Sequence, residues 1–208
     1  MVQVLAALAY GEQCGYERAE RSVSLAPDRR SRVEQQHVAD RERQNWELIE
    51  ARARELGEGE ETALFAPFFD AFFSHTEPTD WVEAQAFHYI GDAMVSDFAD
   101  LLAPKVDRVS AEIVRRALGD REAQETFALD ELTRAMNEDP GVAERIRLYS
   151  QRIVGEAFTQ TGRALEAVQG LRSLLESDEG TTTRFVIDLL ERHRVRLDRL
   201  GIEYVDEE

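Results

Sequence analysis

The sequence predicts an all-α helical bundle, and three features predict it. Arg, Glu, Leu and Ala dominate the 208 residues, with only five Pro and twelve Gly among them, a composition that favours helices over sheets. Apolar positions recur with the helical period in six segments. Short connections join most of these segments, which makes neighbouring helices antiparallel, while one connection is much longer. At 43% hydrophobic and 32% charged, residues 1–208 are expected to fold as a single globular domain.

The first segment spans about Val2 to Val23 and stops before Pro27. Its apolar start, Val2 to Tyr10, has no basic residues in front and meets Glu12 at once, so it reads as core helix rather than targeting signal. The second spans about Asp28 to Leu56 and ends at Gly57. The stretch GEGEETALFAPFFDAFFSHTEPTD then reads as a long loop with an aromatic cluster of Phe65, Phe68, Phe69, Phe72 and Phe73. A third helix begins at the N-cap region Thr79-Asp80 and ends before Pro104. The fourth runs from about Ser110 to Asn137, before Asp139-Pro140-Gly141. The fifth runs from about Val142 to Glu176 and the sixth from about Thr182 to Gly201, leaving a frayed tail, Asp206-Glu207-Glu208.

Bulk charge narrows the function classes. The formal net charge is −17 and Lys105 is the one lysine, so the surface repels phosphate backbones unless arginines gather locally. Arg192, Arg194, Arg196 and Arg199 on the last helix are the candidates for such a face. The single cysteine, Cys14, cannot form an internal disulfide, and a reducing cytoplasm is expected. No apolar run approaches the roughly 20 residues that span a membrane. The sequence carries no Gly-rich phosphate loop, no Cys/His zinc spacing and no nucleophile elbow, so no nucleotide cofactor is expected. Gly11-x-x-x-Gly15 reads as a close helix contact.

The carboxylates carry the remaining signal. With about 100° per residue, Glu12 lies at the centre of the apolar stripe of Leu5, Leu8, Tyr16, Ala19 and Val23. Glu42 lies at the centre of the stripe of Val38, Trp46, Ile49, Ala53 and Leu56, with Asn45 at its edge. Glu83 lies on the stripe of Phe87, Ile90, Met94 and Leu101. Glu125 lies on the stripe of Val114, Leu118, Leu129, Leu132 and Met136, with Glu122 about 60° aside. By contrast Glu34-x-x-His37 has metal-ligand spacing, but His37 points about 140° away from Glu42 and reads as a solvent-facing pair. A buried carboxylate must be paired, hydrogen-bonded, protonated or metal-bound. Four acids on four stripes at matching heights therefore predict one shared polar site, and pairing with arginines is the alternative.

A Glu on one helix, Glu-x-x-His on the next, and both repeated after a crossover is the di-iron arrangement of ferritin-like bundles. The stretches LAYGEQCGYER, ERQNWELIEARARELG, PTDWVEAQAFHYIGDAMVSDF, QRIVGEAFTQ and LLERHRVRLDRLG resemble the ferritin-like family related to tRNA isopentenyl-adenosine hydroxylases. The resemblance implies a ferritin-like four-helix bundle with two additional C-terminal helices. It implies Glu12, Glu42 and Glu83 as metal ligands, with Glu122 or Glu125 in the second motif, which falls within DREAQETF. Both imidazoles of the pattern are missing, since Asn45 stands in the first histidine position and DREAQETF contains none. The remaining oxygen-rich set suits harder cations than iron.

Other histidines offer no obvious replacement. His75 falls in the loop, His88 points about 140° from Glu83, and His193 reads as a packed histidine of the last helix. Glu156 is expected to pair with an arginine or to add a fifth acid.

Two functional readings follow, beside a third in which the bundle is purely structural and arginines satisfy its acids. One is a ferritin-like protein with a degenerate di-iron-type site, binding iron or another divalent metal weakly or not at all and working by binding or scaffolding. Its partner would be a protein or small molecule, with a homo-oligomer as one form. The other is a di-metal hydroxylase, for which tRNA is a substrate by resemblance alone.

Overall fold

The computed structural model describes residues 2–57, 61–103, 106–119, 121–169 and 181–203, and among these there is no strand. Helix α1 (Val2–Ser22) runs through a short 3-10 turn (Val23–Leu25) to α2 (Arg29–Glu55). Pro27 cannot continue a helix, and Asp28 restarts it by accepting a bond from the Ser31 N–H at 2.8 Å. The two helices pack antiparallel along their length. Near the turn Gln35 reaches the Ala19 carbonyl (3.1 Å), and further on Tyr16 stacks on Trp46 with ring centroids 5.9 Å apart.

The expected aromatic loop is instead a helix, α3 (Glu61–His75), despite Pro67 inside it. Phe65, Phe72 and Phe73 bury themselves against α1 and the rest of the core, and that burial outweighs the hydrogen bond Pro67 forfeits. Gly11 lets the two helices meet, because a Cβ there would come within 2.9 Å of the Phe69 ring.

The expected third helix forms as α4 (Trp81–Ala86), a π-helical turn (Phe87–Gly91) and α5 (Asp92–Leu102). At the turn the Asp92 N–H bonds to the Phe87 carbonyl, five residues back. The expected fourth helix is two, α6 (Arg108–Leu118) and α7 (Glu122–Glu138). They part at Gly119, where a Cβ would stand 2.4 Å from the Arg115 carbonyl oxygen. Helix α8 (Gly141–Ala167) and helix α9 (Thr181–Arg199) follow. The expected extension of the fifth helix to Glu176 and the tail Asp206–Glu208 fall outside the described residues.

The four long units close a ring. α1 lies on α2, α2 on α6, α5 on α6, α4 on α7, and α5 back on α1. α3 crosses over between the two pairs and packs on α1 and α8, and α9 docks on α5. This is the all-α bundle with added C-terminal helices. Along α1 and α2 the core alternates in layers. Leu5, Leu8, Ile49 and Ala53 belong to one apolar cluster, and Ala19, Val38 and Ala39 to another. Glu12 and Glu42 lie between them. Among the described residues no helix is long and apolar enough to cross a membrane.

Candidate functional site

Glu12 and Glu42 meet in the interior, at 3% and 2% exposure. The group between them is a guanidinium. Arg121, itself buried, donates from Nη1 to Glu42 Oε1 (3.2 Å) and from Nη2 to Glu12 Oε1 (3.2 Å), while Nη1 stands 3.9 Å from Asp92 Oδ2. Arg121 is the residue that precedes α7, so the joint between α6 and α7 delivers the cation. Gly15 borders the pair, and a Cβ there would stand 3.9 Å from Glu42 Oε2.

A second tier orients Asp92. Its Oδ2 accepts from Gln124 Nε2 (2.7 Å) and pairs with His88 Nδ1 (2.8 Å). The tautomer of His88 follows from its other neighbours. The Ala19 carbonyl can only accept, so the Gln35 group facing it is the NH2; Gln35 Oε1 in turn accepts from Gln85 Nε2 (2.9 Å). The same Gln35 NH2 lies 2.9 Å from His88 Nε2. It can only donate there, so Nε2 accepts, and Nδ1 is the nitrogen that donates to Asp92.

Charge counting explains the protonation of the pair. Three carboxyl groups face one guanidinium in a dry interior. Burial pushes the Glu12 carboxyl well above its ordinary value; Arg121 pulls the other way, and Glu42 and Asp92 push it further up. Burial opposes the charge of Arg121, but Glu42, Glu12 and Asp92 outweigh it and hold the guanidinium above its ordinary pKa. The stable arrangement is a shared cation beside a Glu12 carboxyl that holds its proton.

The other expected site residues go elsewhere. Glu83 caps a helix. Asp80 accepts from the Glu83 N–H (3.0 Å), and Glu83 Oε2 accepts from the N–H and the hydroxyl of Thr79 (2.8 Å each), a variant of the capping box. The Asp80-x-x-Glu83 spacing was the signal for that role. Glu122 is exposed and borders an open groove beside Arg30, Glu34 and Phe127. Glu125 is half-buried and adds to the field on Arg121 and Tyr89. Glu34 and His37 face solvent as a 3.7 Å pair, as the helical wheel expects. His88 does lie on a different face from Glu83, but the face turned into the core is that of His88, which is 3% exposed.

His75, His193 and three arginines of the last helix have partners within the molecule. His193 is buried against Ser150 at 3.0 Å, and burial drops its pKa to about 4. Glu156 takes neither expected role, pairing instead with His75 (2.8 Å) and Gln160 (2.6 Å). Arg192 and Arg196 clamp Asp97 at 2.6 and 2.8 Å, and Arg194 pairs with Glu191 and Asp198 on its own helix. The basic face considered for the last helix is thus largely spent within the molecule.

Could this site hold a di-metal centre? Its oxygens are spread to N–H···O spacing around a positive charge, and both nitrogens of His88 are engaged. Among the described residues no three of His, Cys, Asp and Glu converge so as to hold a metal ion. The residues present do not fit the group. The architecture around them nevertheless has a known relative: over residues 1–178 the chain matches the family described as a ferritin-like domain of actinomycetes. The chain belongs to this ferritin-like family. No curated protein matches it. In this ferritin-like bundle an arginine stands at the centre of the buried polar layer.

Proposed function

We propose that this ferritin-like bundle works by binding or scaffolding, without a metal centre. The observation that carries the reading is Arg121, shared between Glu12 and Glu42 at 3.2 Å each. A divalent cation at that place would meet a tethered positive charge inside a low-dielectric core, where like charges repel most strongly. A neutral imidazole is a strong donor to first-row metals, and His88 instead spends its two nitrogens on Asp92 and Gln35. The partner is a protein or a small molecule. The net charge of −17 and the engaged arginines of the last helix favour a partner other than nucleic acid.

The finer resemblance to tRNA hydroxylases carries the competing reading, a di-metal oxygenase. Metal analysis separates the two. Protein purified without chelator from iron-supplemented cells should carry far less than one iron per chain, and its melting temperature should not respond to a chelator. Close to two irons per chain, with a melting temperature that falls when they are removed, would overturn the proposal.

A further inference from the structure

We infer that α9 is a latch over the π-turn, closed while His193 is neutral and loosened when acid places a further positive charge on its docking face. The inference goes beyond the metal-free reading of the bundle and does not depend on it.

The docking face of α9 is unusually basic for a chain of net charge −17. Leu189, Leu197 and Leu200 are buried on it, and at about 100° per residue Arg192, His193 and Arg196 share their side of the helix. One buried carboxylate holds the two arginines. Asp97 on α5 accepts from Arg192 Nη1 (2.6 Å) and from Arg196 Nη2 (2.8 Å), and Asp100 stands further off, 3.9 Å from Arg192. His193 is 1% exposed, with Nε2 3.0 Å from the Ser150 hydroxyl oxygen on α8. From the π-turn, the Tyr89 hydroxyl donates to the Arg196 carbonyl (3.3 Å), and Arg199 of α9 and Glu125 of α7 add to the field there.

Protonating His193 would set a third cation beside the two arginines in a buried place. Burial and the neighbouring Arg196 oppose that charge and drop its pKa to about 4. In released α9 the imidazole returns towards its ordinary 6.5. Acid therefore favours release, and docking weakens as pH falls through 6.5 towards 4, by roughly twentyfold between pH 7 and pH 5.

Two features let the latch open without the bundle. The family match ends at residue 178, before α9 begins. The outward side of α9 leaves Ile187 and Val195 exposed, and an element with few buried apolar contacts opens locally. The bundle itself responds to acid in the opposite sense, because Glu12 holds its proton in the folded state. Opening uncovers Asp97, Ser150 and Tyr89, and Tyr89 adjoins the His88 that orients Asp92.

Amide hydrogen exchange of the full chain at pH 7 and pH 5, corrected for the intrinsic rate at each pH, reads opening helix by helix. Protection of α9 should fall roughly twentyfold between the two values while that of α1 and α2 holds or rises. In His193→Gln, which keeps a hydrogen-bonding side chain but cannot take up the proton, α9 protection should change less than about threefold. An equal fall in His193→Gln would assign the effect to carboxylates such as Asp97 and overturn the inference. So would α9 protection that ignores pH, or that falls in step with α1 and α2. An NMR titration of the His193 ring in wild type gives a second test that needs no variant. The ring should protonate as α9 loses protection, and a ring that protonates near 6.5 while α9 stays closed would overturn the latch.

Discussion

The bundle core is built from two helix pairs that behave differently. In the α1–α2 pair each helix runs unbroken and places one glutamate at the centre of its buried stripe. In the opposite pair both units are interrupted, one by the π-turn at Phe87–Gly91 and the other by the break at Gly119. The unbroken pair supplies the negative charge of Glu12 and Glu42. The break at Gly119 supplies the cation that compensates it. The π-turn carries His88 and leads into Asp92, and the break presents Arg121. Regular helices are well suited to repeating a pattern, and the departures from regularity aim individual groups at a point the pattern does not reach.

The largest effect should come from removing the compensation. Arg121→Ala leaves Glu12 and Glu42 buried without their cation, and breaking a buried ion pair from one side costs about 3–5 kcal/mol. Urea unfolding of the metal-free protein measures this. A loss under about 1 kcal/mol would mean that the acids are neutral or hydrated without Arg121.

The two glutamates should then separate in behaviour. Glu42→Gln removes the carboxylate opposite Arg121 and should destabilise by about 2 kcal/mol, the scale of a hydrogen bond to a charged group. Glu12→Gln should be tolerated, because Glu12 is held protonated by burial. The pH dependence has a definite sign. The folded state keeps the Glu12 proton after the unfolded chain, near the ordinary value of 4.5, has released it. Stability of the wild type therefore declines as pH rises above that value towards the raised folded pKa. Glu12→Gln removes this contribution, so the mutant should gain on wild type as pH rises. Parallel stability profiles from pH 5 to 8 would contradict the assignment of the proton.

The contrast between the pairs also decides what could be read from sequence. Unbroken helices keep their phase, so the wheel located Glu12, Glu42 and the outward-facing Glu34 and His37. Beyond an interruption the phase is lost, since each extra residue turns the helix by about 100°. That is why Glu83, rather than Asp92, looked like the third acid. Arg121 lies outside any helix, where periodicity carries no information, and its one signal was a demand: acids buried without histidines need a cation, and lysine is nearly absent. The aromatic stretch before Thr79 reads in the sequence as a loop and not as a helix, because Pro67 weighs against a helix locally, and burial of Phe65, Phe72 and Phe73 outweighs it. The family match bears out the ferritin-like fold over residues 1–178.

The smallest effect should come from Glu83. Removing its carboxylate with Glu83→Ala leaves the Thr79 N–H and hydroxyl to water at the exposed start of α4, a loss of about 0.5–1 kcal/mol. The pH profile set by Glu12 should not move. A change in that profile would place Glu83 in electrical contact with the core and undo the distinction between capping acid and core acid.

A double-mutant cycle between Arg121 and Glu42 tests the central claim most directly. Arg121→Met, Glu42→Gln and the double mutant are unfolded in urea beside wild type, in chelator and at one pH. If Arg121 is the cation that holds the acid layer, losing either partner costs most while the other is still present. The double mutant should then be more stable than the sum of the single losses implies, by about 2–3 kcal/mol. Losses that add to within about 0.5 kcal/mol, the range of independent sites, would show that the two side chains do not hold each other in solution.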